Sequence, residues 1–168
     1  MIAAGAGTSQ GTVLESAARM TGTPRLQEPL EQLYREFDWA ARADLDAIRF
    51  PLRYAAPADR EVVALLASCM AYGRVDLFAP WVDWILSRMG DSPERFVLGF
   101  DPAKPVARFE GFRYRFNRPR DVAAFCLATQ GVLIRHGSLG AAFAAGYSPG
   151  DGDVGPALER FVDLTSHG

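Results

Sequence analysis

Apolar residues recur at helical spacing along most of this sequence, and this periodicity constrains the fold more than any other feature. The clearest stripe follows the spacing i, i+3, i+4, i+7 and i+8, at Val62, Leu65, Leu66, Cys69 and Met70. Such a stripe is typical of an amphipathic helix that packs one face into a core. Because no heptad array or internal repeat accompanies it, the sequence predicts an all-α fold, an irregular bundle of about six or seven helices.

Capping and stop residues divide the pattern into further helices. The sequence predicts helices over 26–41, 76–89, 93–98, 119–136, 138–143 and 156–165. Pro119 favours a first helical turn, and Gly90 and Gly137 favour left-handed helix ends. We expect Asp76 to cap the helix over 76–89 and Gly73 to stop the helix before it.

The helical pattern breaks between residues 100 and 118. There the aromatic residues Phe112, Tyr114 and Phe116 alternate with the polar residues Arg113, Arg115 and Asn117. A period of two predicts one short extended segment near 109–117, with an aromatic face and a basic face.

The composition and its distribution indicate how the chain is organised. Of its 168 residues, 49% are apolar and 23% are charged, as in a globular protein. Residues 1–24 show no period and predict a disordered tail, whereas 25–168 predict a single helical domain. A net charge of −2 gives no overall attraction to nucleic acid or to a membrane. No apolar run approaches the roughly 20 residues of a membrane span. No secretory signal is present, so we expect a cytoplasmic protein. The sequence does not indicate its oligomeric state.

The sequence offers no local motif for a metal or a cofactor. Cys69 and Cys126 fall in apolar helical patterns, and neither has a His or a second Cys nearby at ligand spacing. We therefore expect both to be reduced thiols in the core. The phosphate loop, the dinucleotide glycine motif, the nucleophile elbow and the zinc-protease motif are all missing. We therefore expect no metal and no cofactor, and whether the chain is an enzyme stays open.

The segment from Arg108 to Arg120 carries the one functional hypothesis that the residues support. It holds five arginines against one glutamate, with four aromatic residues between them. Guanidinium groups bind phosphate through paired hydrogen bonds, and aromatic faces stack on bases. The candidates for nucleic-acid or phosphate contact are Arg74, Arg113, Tyr114, Arg115, Asn117 and Arg120. In the structural alternative, the aromatic residues belong to the core and the arginines are solvated or paired with acids.

His136 supports a third interpretation. It falls in the last turn of the predicted helix over 119–136, where a histidine interacts favourably with the helix dipole. The catalytic alternative is a hydrolase in which His136 acts together with carboxylates that are distant in the sequence. No motif of catalytic residues lies close to His136 in the sequence.

Four motifs occur in a characteristic order. They are Phe50-Pro51-x-Arg53-Tyr54, Ala71-Tyr72-Gly73-Arg74, Gly111-Phe112-Arg113-Tyr114-Arg115-Phe116-Asn117, and Arg120-Asp121 ahead of a helix reaching His136-Gly137-Ser138-Leu139. Over roughly 28–165 they resemble a bacterial family of uncharacterised proteins, the domain of unknown function 2400. The resemblance implies a helical protein of unassigned activity.

The resemblance also implies a longer protein. Members of that family continue into a Lys-rich, Trp-containing stretch and a Pro-Leu-Asp-Thr-His-like motif, so this chain resembles their N-terminal portion. That downstream motif is loosely similar to the helix-hairpin-helix DNA glycosylases, in which a helical domain presents a catalytic Asp. Two hypotheses follow: a nucleic-acid-associated domain without its catalytic half, or a non-catalytic helical domain for structure or protein interaction.

We also expect an exposed apolar patch near the helices over 76–89 and 119–136.

Overall fold

The computed structural model describes residues 24–166, so the predicted tail over 1–24 lies outside them apart from its last residue. The chain divides into two compact units, Met1–Trp39 and Ala40–Gly168, and the single domain over 25–168 stays a prediction. Helix α1 spans Pro24–Glu36 and a short helix α2 spans Trp39–Ala43. The predicted helix over 26–41 is therefore interrupted, and the Trp39 indole nitrogen donates a 3.3 Å hydrogen bond back to the Tyr34 carbonyl oxygen.

Six longer elements follow. They are α3 at Pro57–Met70, α4 at Val75–Met89, α5 at Pro93–Leu98, α6 at Pro119–His136, α7 at Leu139–Gly146 and α8 at Gly155–Ser166. Short 3₁₀ turns lie at Ala47–Arg49, Pro51–Arg53 and Ala107–Phe109. Residues 24–166 contain no strand, so the predicted all-α fold is confirmed. None of the helices described is long and apolar enough to cross a membrane.

The helix ends agree with the sequence at most positions. Ser92 caps α5 through its hydroxyl oxygen, and Gly90 and Gly137 take positive φ values of 73° and 79° at the ends of α4 and α6. The prediction for Asp76 is wrong, because α4 already begins at Val75. The Asp76 carboxylate accepts hydrogen bonds from Arg74 Nε and Nη2 at 3.0 and 2.7 Å. Helix α3 ends at Met70, so Gly73 lies in the turn between helices rather than at a helix stop.

Helix α3 supplies the centre of the core. Its predicted stripe is largely buried, and it packs against α4, α5 and α7. Helix α6 packs against α5, α7 and α8. The largest fully buried side chains include Phe50, Phe78, Phe109, Phe112, Leu66 and Ile85. These two long helices therefore position the turns that connect them to the rest of the bundle.

Two acids near the start of α3 bind the starts of other helices. The Asp59 carboxylate, with its residue 8% exposed, accepts hydrogen bonds from Ser92 Oγ at 3.0 Å and from the backbone N–H of Glu94 at 2.9 Å. The Glu61 carboxylate accepts from the backbone N–H of Leu139 at 2.8 Å and from that of the following residue at 3.1 Å. Because the first amides of a helix lack helical partners, both acids satisfy donors of α5 and α7.

The two cysteines differ in exposure. Cys126 is buried, as predicted, and burial raises the pKa of its thiol to about 12. The prediction of a core thiol is wrong for Cys69, which is exposed on the flank of α3. Partial desolvation nevertheless raises the pKa of Cys69 above its ordinary value.

These pKa shifts predict unequal thiol reactivity. At pH 8 we expect a disulfide reagent to label Cys69 in the folded protein and Cys126 only after denaturant is added, because the thiolate is the reactive form. Labelling of Cys69 should accelerate as the pH rises toward its raised pKa. Counting labelled thiols by mass spectrometry, with Cys69→Ser as the control, checks this. Two rapidly labelled thiols in the folded protein would contradict the burial of Cys126.

Candidate functional site: a tyrosine–arginine cluster between two turns

Two turns that are distant in sequence pack against each other. One turn joins α3 to α4 and carries Tyr72 and Gly73, and the other precedes α6. The Tyr114 hydroxyl donates a 2.8 Å hydrogen bond to the Tyr72 carbonyl oxygen, and Asn117 Nδ2 donates one of 2.7 Å to the Tyr72 hydroxyl oxygen. We name the six residues that meet here the tyrosine–arginine cluster: Tyr72, Gly73, Tyr114, Arg115, Phe116 and Asn117.

The segment before α6 is a tight turn rather than a continuous extended stretch. The backbones of Tyr114 and Asn117 exchange hydrogen bonds of 3.3 and 2.8 Å, and Arg115 between them has a φ of 51°. This turn breaks the predicted alternation of faces. Tyr114 is only 4% exposed, as the aromatic face predicts, whereas Phe116 is 74% exposed. The structural alternative, which places Phe116 in the core, is therefore wrong for that residue.

The Arg115 guanidinium lies against the first turn. Its carbon is 5.7 Å from the centre of the Tyr72 ring and 5.9 Å from that of Tyr114, within the range of a cation–π contact. A Cβ atom built on Gly73 would lie 2.6 Å from Arg115 Nη2, and Gly73 has a φ of 103°. Glycine is therefore needed here both for the backbone conformation and for the close approach of the guanidinium.

Arg118 joins the cluster to α6, and the sequence reasoning missed it as a site residue. Its Nη1 donates to the carbonyl oxygens of Arg115 and Asn117 at 2.8 and 2.9 Å. Its backbone N–H donates to the Asp121 carboxylate at 2.6 Å. The available signal was its position directly before Pro119, where the first turn of a helix leaves backbone groups to be capped.

The other candidate arginines divide into paired and unpaired groups. Arg74 holds Asp76, and this hydrogen bonding lowers the pKa of the Asp76 carboxyl. Arg120 lies 3.7 Å from the Asp121 carboxylate, in a contact between exposed side chains. Within the described part of the chain, no salt bridge joins Arg113 or Arg115 to a carboxylate. Arg113 is exposed, so two of the predicted phosphate-binding residues keep an available positive charge.

The partly buried and buried members of the cluster bind one another. Partial burial raises the pKa of the Tyr72 phenol above its ordinary value, and the phenol oxygen accepts the Asn117 hydrogen bond. Asn117 also lies 3.6 Å from the Met70 sulfur. Tyr114, predicted as a stacking candidate, has its ring in the core and its hydroxyl on backbone, which leaves little of it for a ligand.

An apolar groove of about 380 Å³ begins beside the cluster. It runs between α3 and α6, and its lining residues include Leu65, Cys69, Asn117, Ala124 and Phe125. This groove lies on the side of α6 that faces α3, and the exposed apolar patch near α4 and α6 stays a prediction.

His136 ends α6, as predicted, and is partly exposed. It lines an open depression of about 630 Å³ together with Arg135, Arg160 and Asp163. Within residues 24–166, no group of three or more His, Cys, Asp or Glu side chains is arranged to hold a metal ion.

Comparison with known proteins supplies a family and no activity. The model of a family described as a protein of unknown function (DUF2400) matches residues 46–167. The match covers the whole tyrosine–arginine cluster and begins after α1 and α2, so it starts later than the resemblance near residue 28 predicted. No curated protein and no solved structure matches the chain.

Proposed function

The chain belongs to the DUF2400 family of proteins of unknown function, and from its tyrosine–arginine cluster we propose that it associates with nucleic acid. The observation that carries this proposal is the Arg115 guanidinium, which has no carboxylate partner in the described structure and lies beside aromatic rings. Nucleic acid presents phosphates and bases together, and such a pairing of cation and ring suits both.

Charge supports this proposal locally rather than globally. The net charge of −2 opposes general attraction to a polyanion. Arg113 and Arg115 nevertheless stand two positions apart, and no salt bridge neutralises either of them in residues 24–166. Phosphate binding therefore depends on this short region, and it should weaken steeply as salt is added.

The wider context of the proposal comes from the family resemblance. The downstream motif of longer family members is loosely similar to helix-hairpin-helix DNA glycosylases, which is compatible with this chain being a helical, non-catalytic part of a base-excision enzyme. A cytoplasmic location, as the sequence predicts, is compatible with that role. The His136 depression contributes no step to it.

A non-catalytic structural or protein-interaction domain is the second candidate, and one observation favours it. Several polar members of the region already bind the protein itself: Tyr114 and Arg118 donate to backbone carbonyl oxygens, and Asn117 donates to the Tyr72 hydroxyl. In this alternative, Arg115 stabilises the two turns and binds no ligand.

Salt-dependent binding of oligonucleotides tests the proposal. We expect labelled DNA and RNA to bind at about 50 mM salt and to be released by about 200 mM, as measured by fluorescence anisotropy. Arg113→Ala should reduce the slope of log affinity against log salt by about 1. Lys104→Ala removes one positive charge from an exposed loop position outside the cluster and should leave the slope unchanged.

Two outcomes decide against nucleic-acid association through Arg113 and the tyrosine–arginine cluster. The first is the absence of binding at low salt to single- and double-stranded DNA and RNA. The second comes from the double substitution Arg113→Ala with Arg115→Ala: a large loss of stability, while oligonucleotide affinity is unaltered, supports the structural alternative. Unchanged folding with lost affinity refutes that alternative.

A further inference from the structure

Phe116 has an unusual combination of exposure and order. Its side chain is 74% exposed, although its neighbours Phe112 and Tyr114 are buried. Its ring nevertheless stacks on Tyr72, with ring centres 5.2 Å apart and planes inclined by 9°. An exposed aromatic ring usually costs free energy in water, so a fixed ring in this position is suited to contact with another flat apolar group.

The surrounding contacts hold this stack in place. Tyr72 is fixed by the hydrogen bond from Asn117 to its hydroxyl and by the Tyr114 ring, 5.1 Å away. Arg115, at a φ of 51°, forms the turn that brings Phe116 out of the core. The turn therefore holds the Phe116 ring in place, and no rearrangement is required before a ligand binds.

We infer that the cluster binds nucleic acid as a single strand, with an unpaired base stacked on the exposed face of Phe116 and the adjacent phosphate near Arg115. This inference rests on the proposed nucleic-acid association. Bases in a duplex are already stacked on each other and present their edges, so only an unpaired base offers a face to Phe116. The Arg115 guanidinium lies against Tyr72, the ring that Phe116 stacks on, which places charge and stacking surface together.

Matched oligonucleotides test the inference by fluorescence anisotropy at low salt. We expect a single strand to bind at least about tenfold more tightly than the duplex of the same sequence. Phe116→Ala should weaken single-strand binding by about 5- to 150-fold, the range measured for loss of one stacked base. Ile134→Ala, at a side chain that is 69% exposed on α6, is the matched control and should change nothing.

An abasic strand of equal length separates stacking from charge. The unmodified protein should bind the abasic strand about as weakly as the Phe116→Ala protein binds the normal strand. If duplex and single strand bind equally and Phe116→Ala affects neither, the inference is overturned while nucleic-acid association stands. If no oligonucleotide binds, both are overturned. Equal losses for Phe116→Ala and Ile134→Ala also overturn the inference.

Discussion

Replacing Gly73 by alanine is expected to lower the free energy of unfolding by about 1–3 kcal/mol and to displace the Arg115 guanidinium. The backbone at Gly73 has a φ of 103°, which residues other than glycine rarely adopt. The added methyl group would also lie 2.6 Å from Arg115 Nη2. Because that guanidinium is the end of a flexible side chain, it can move aside. The energetic cost therefore comes mainly from the backbone, and the loss of position falls on Arg115.

Gly90 provides a control that separates these two effects. It also has a positive φ, of 73°, but a Cβ atom added there meets nothing within 4 Å. Gly90→Ala should therefore show a comparable loss of stability in urea unfolding and unchanged oligonucleotide affinity. Gly73→Ala should lose both. Equal affinities of the two variants would show that the position of Arg115 is irrelevant to binding.

Removal of the Asp59 carboxylate is expected to cost about 3 kcal/mol of stability or more, since it removes two hydrogen bonds to a charged group and each contributes about 1.5–3 kcal/mol. The carboxylate accepts from Ser92 Oγ at 3.0 Å and from the Glu94 N–H at 2.9 Å. Asp59→Ala leaves both donors without this partner at a nearly buried position. Urea unfolding followed by circular dichroism measures the difference.

Two further variants define the origin of that loss. Asp59→Asn keeps a side-chain oxygen that can accept the same hydrogen bonds, so it should lose less stability than Asp59→Ala. Asp91→Ala removes an exposed carboxylate one residue before Ser92 and should stay within about 0.5 kcal/mol of the unmodified protein. If Asp59→Ala is as stable as Asp91→Ala, the bonds to α5 contribute nothing to stability.

The sequence predicted the long helices because their information is local. Helix α6 at Pro119–His136 matches the predicted range, since a first-turn proline and a left-handed glycine bound an apolar pattern. For Asp59 and Glu61, the sequence alone indicates only a place near the start of their own helix, where acids favour the positive end of the helix dipole. Their hydrogen bonds to α5 and α7 depend on tertiary packing, for which the sequence carries no local signal.

The sequence predicted the candidate site only in part, because its composition is local information and its packing is not. The arginine–aromatic composition pointed to the turn before α6, and Arg115 does lie beside two tyrosines. The inward and outward faces of a period-two pattern hold only while the backbone stays extended. One residue with positive φ, Arg115, changed that phase and brought Phe116 to the surface. The docking of Tyr72 onto Asn117, 45 positions away, could not be read from spacing.

The hydrogen bonds that Asp59 and Glu61 make to other helices have a consequence for the order of folding. The two acids lie two positions apart in α3, yet their bonds connect residues 35 and 78 positions away. Closing a flexible loop costs chain entropy that increases with its length, so these bonds form only once other contacts hold the segments together. Helices α5 and α7 are short, and isolated helices of such length are unstable in water. The formation of α5 and α7 is therefore coupled to their packing against α3, and these three segments should unfold cooperatively.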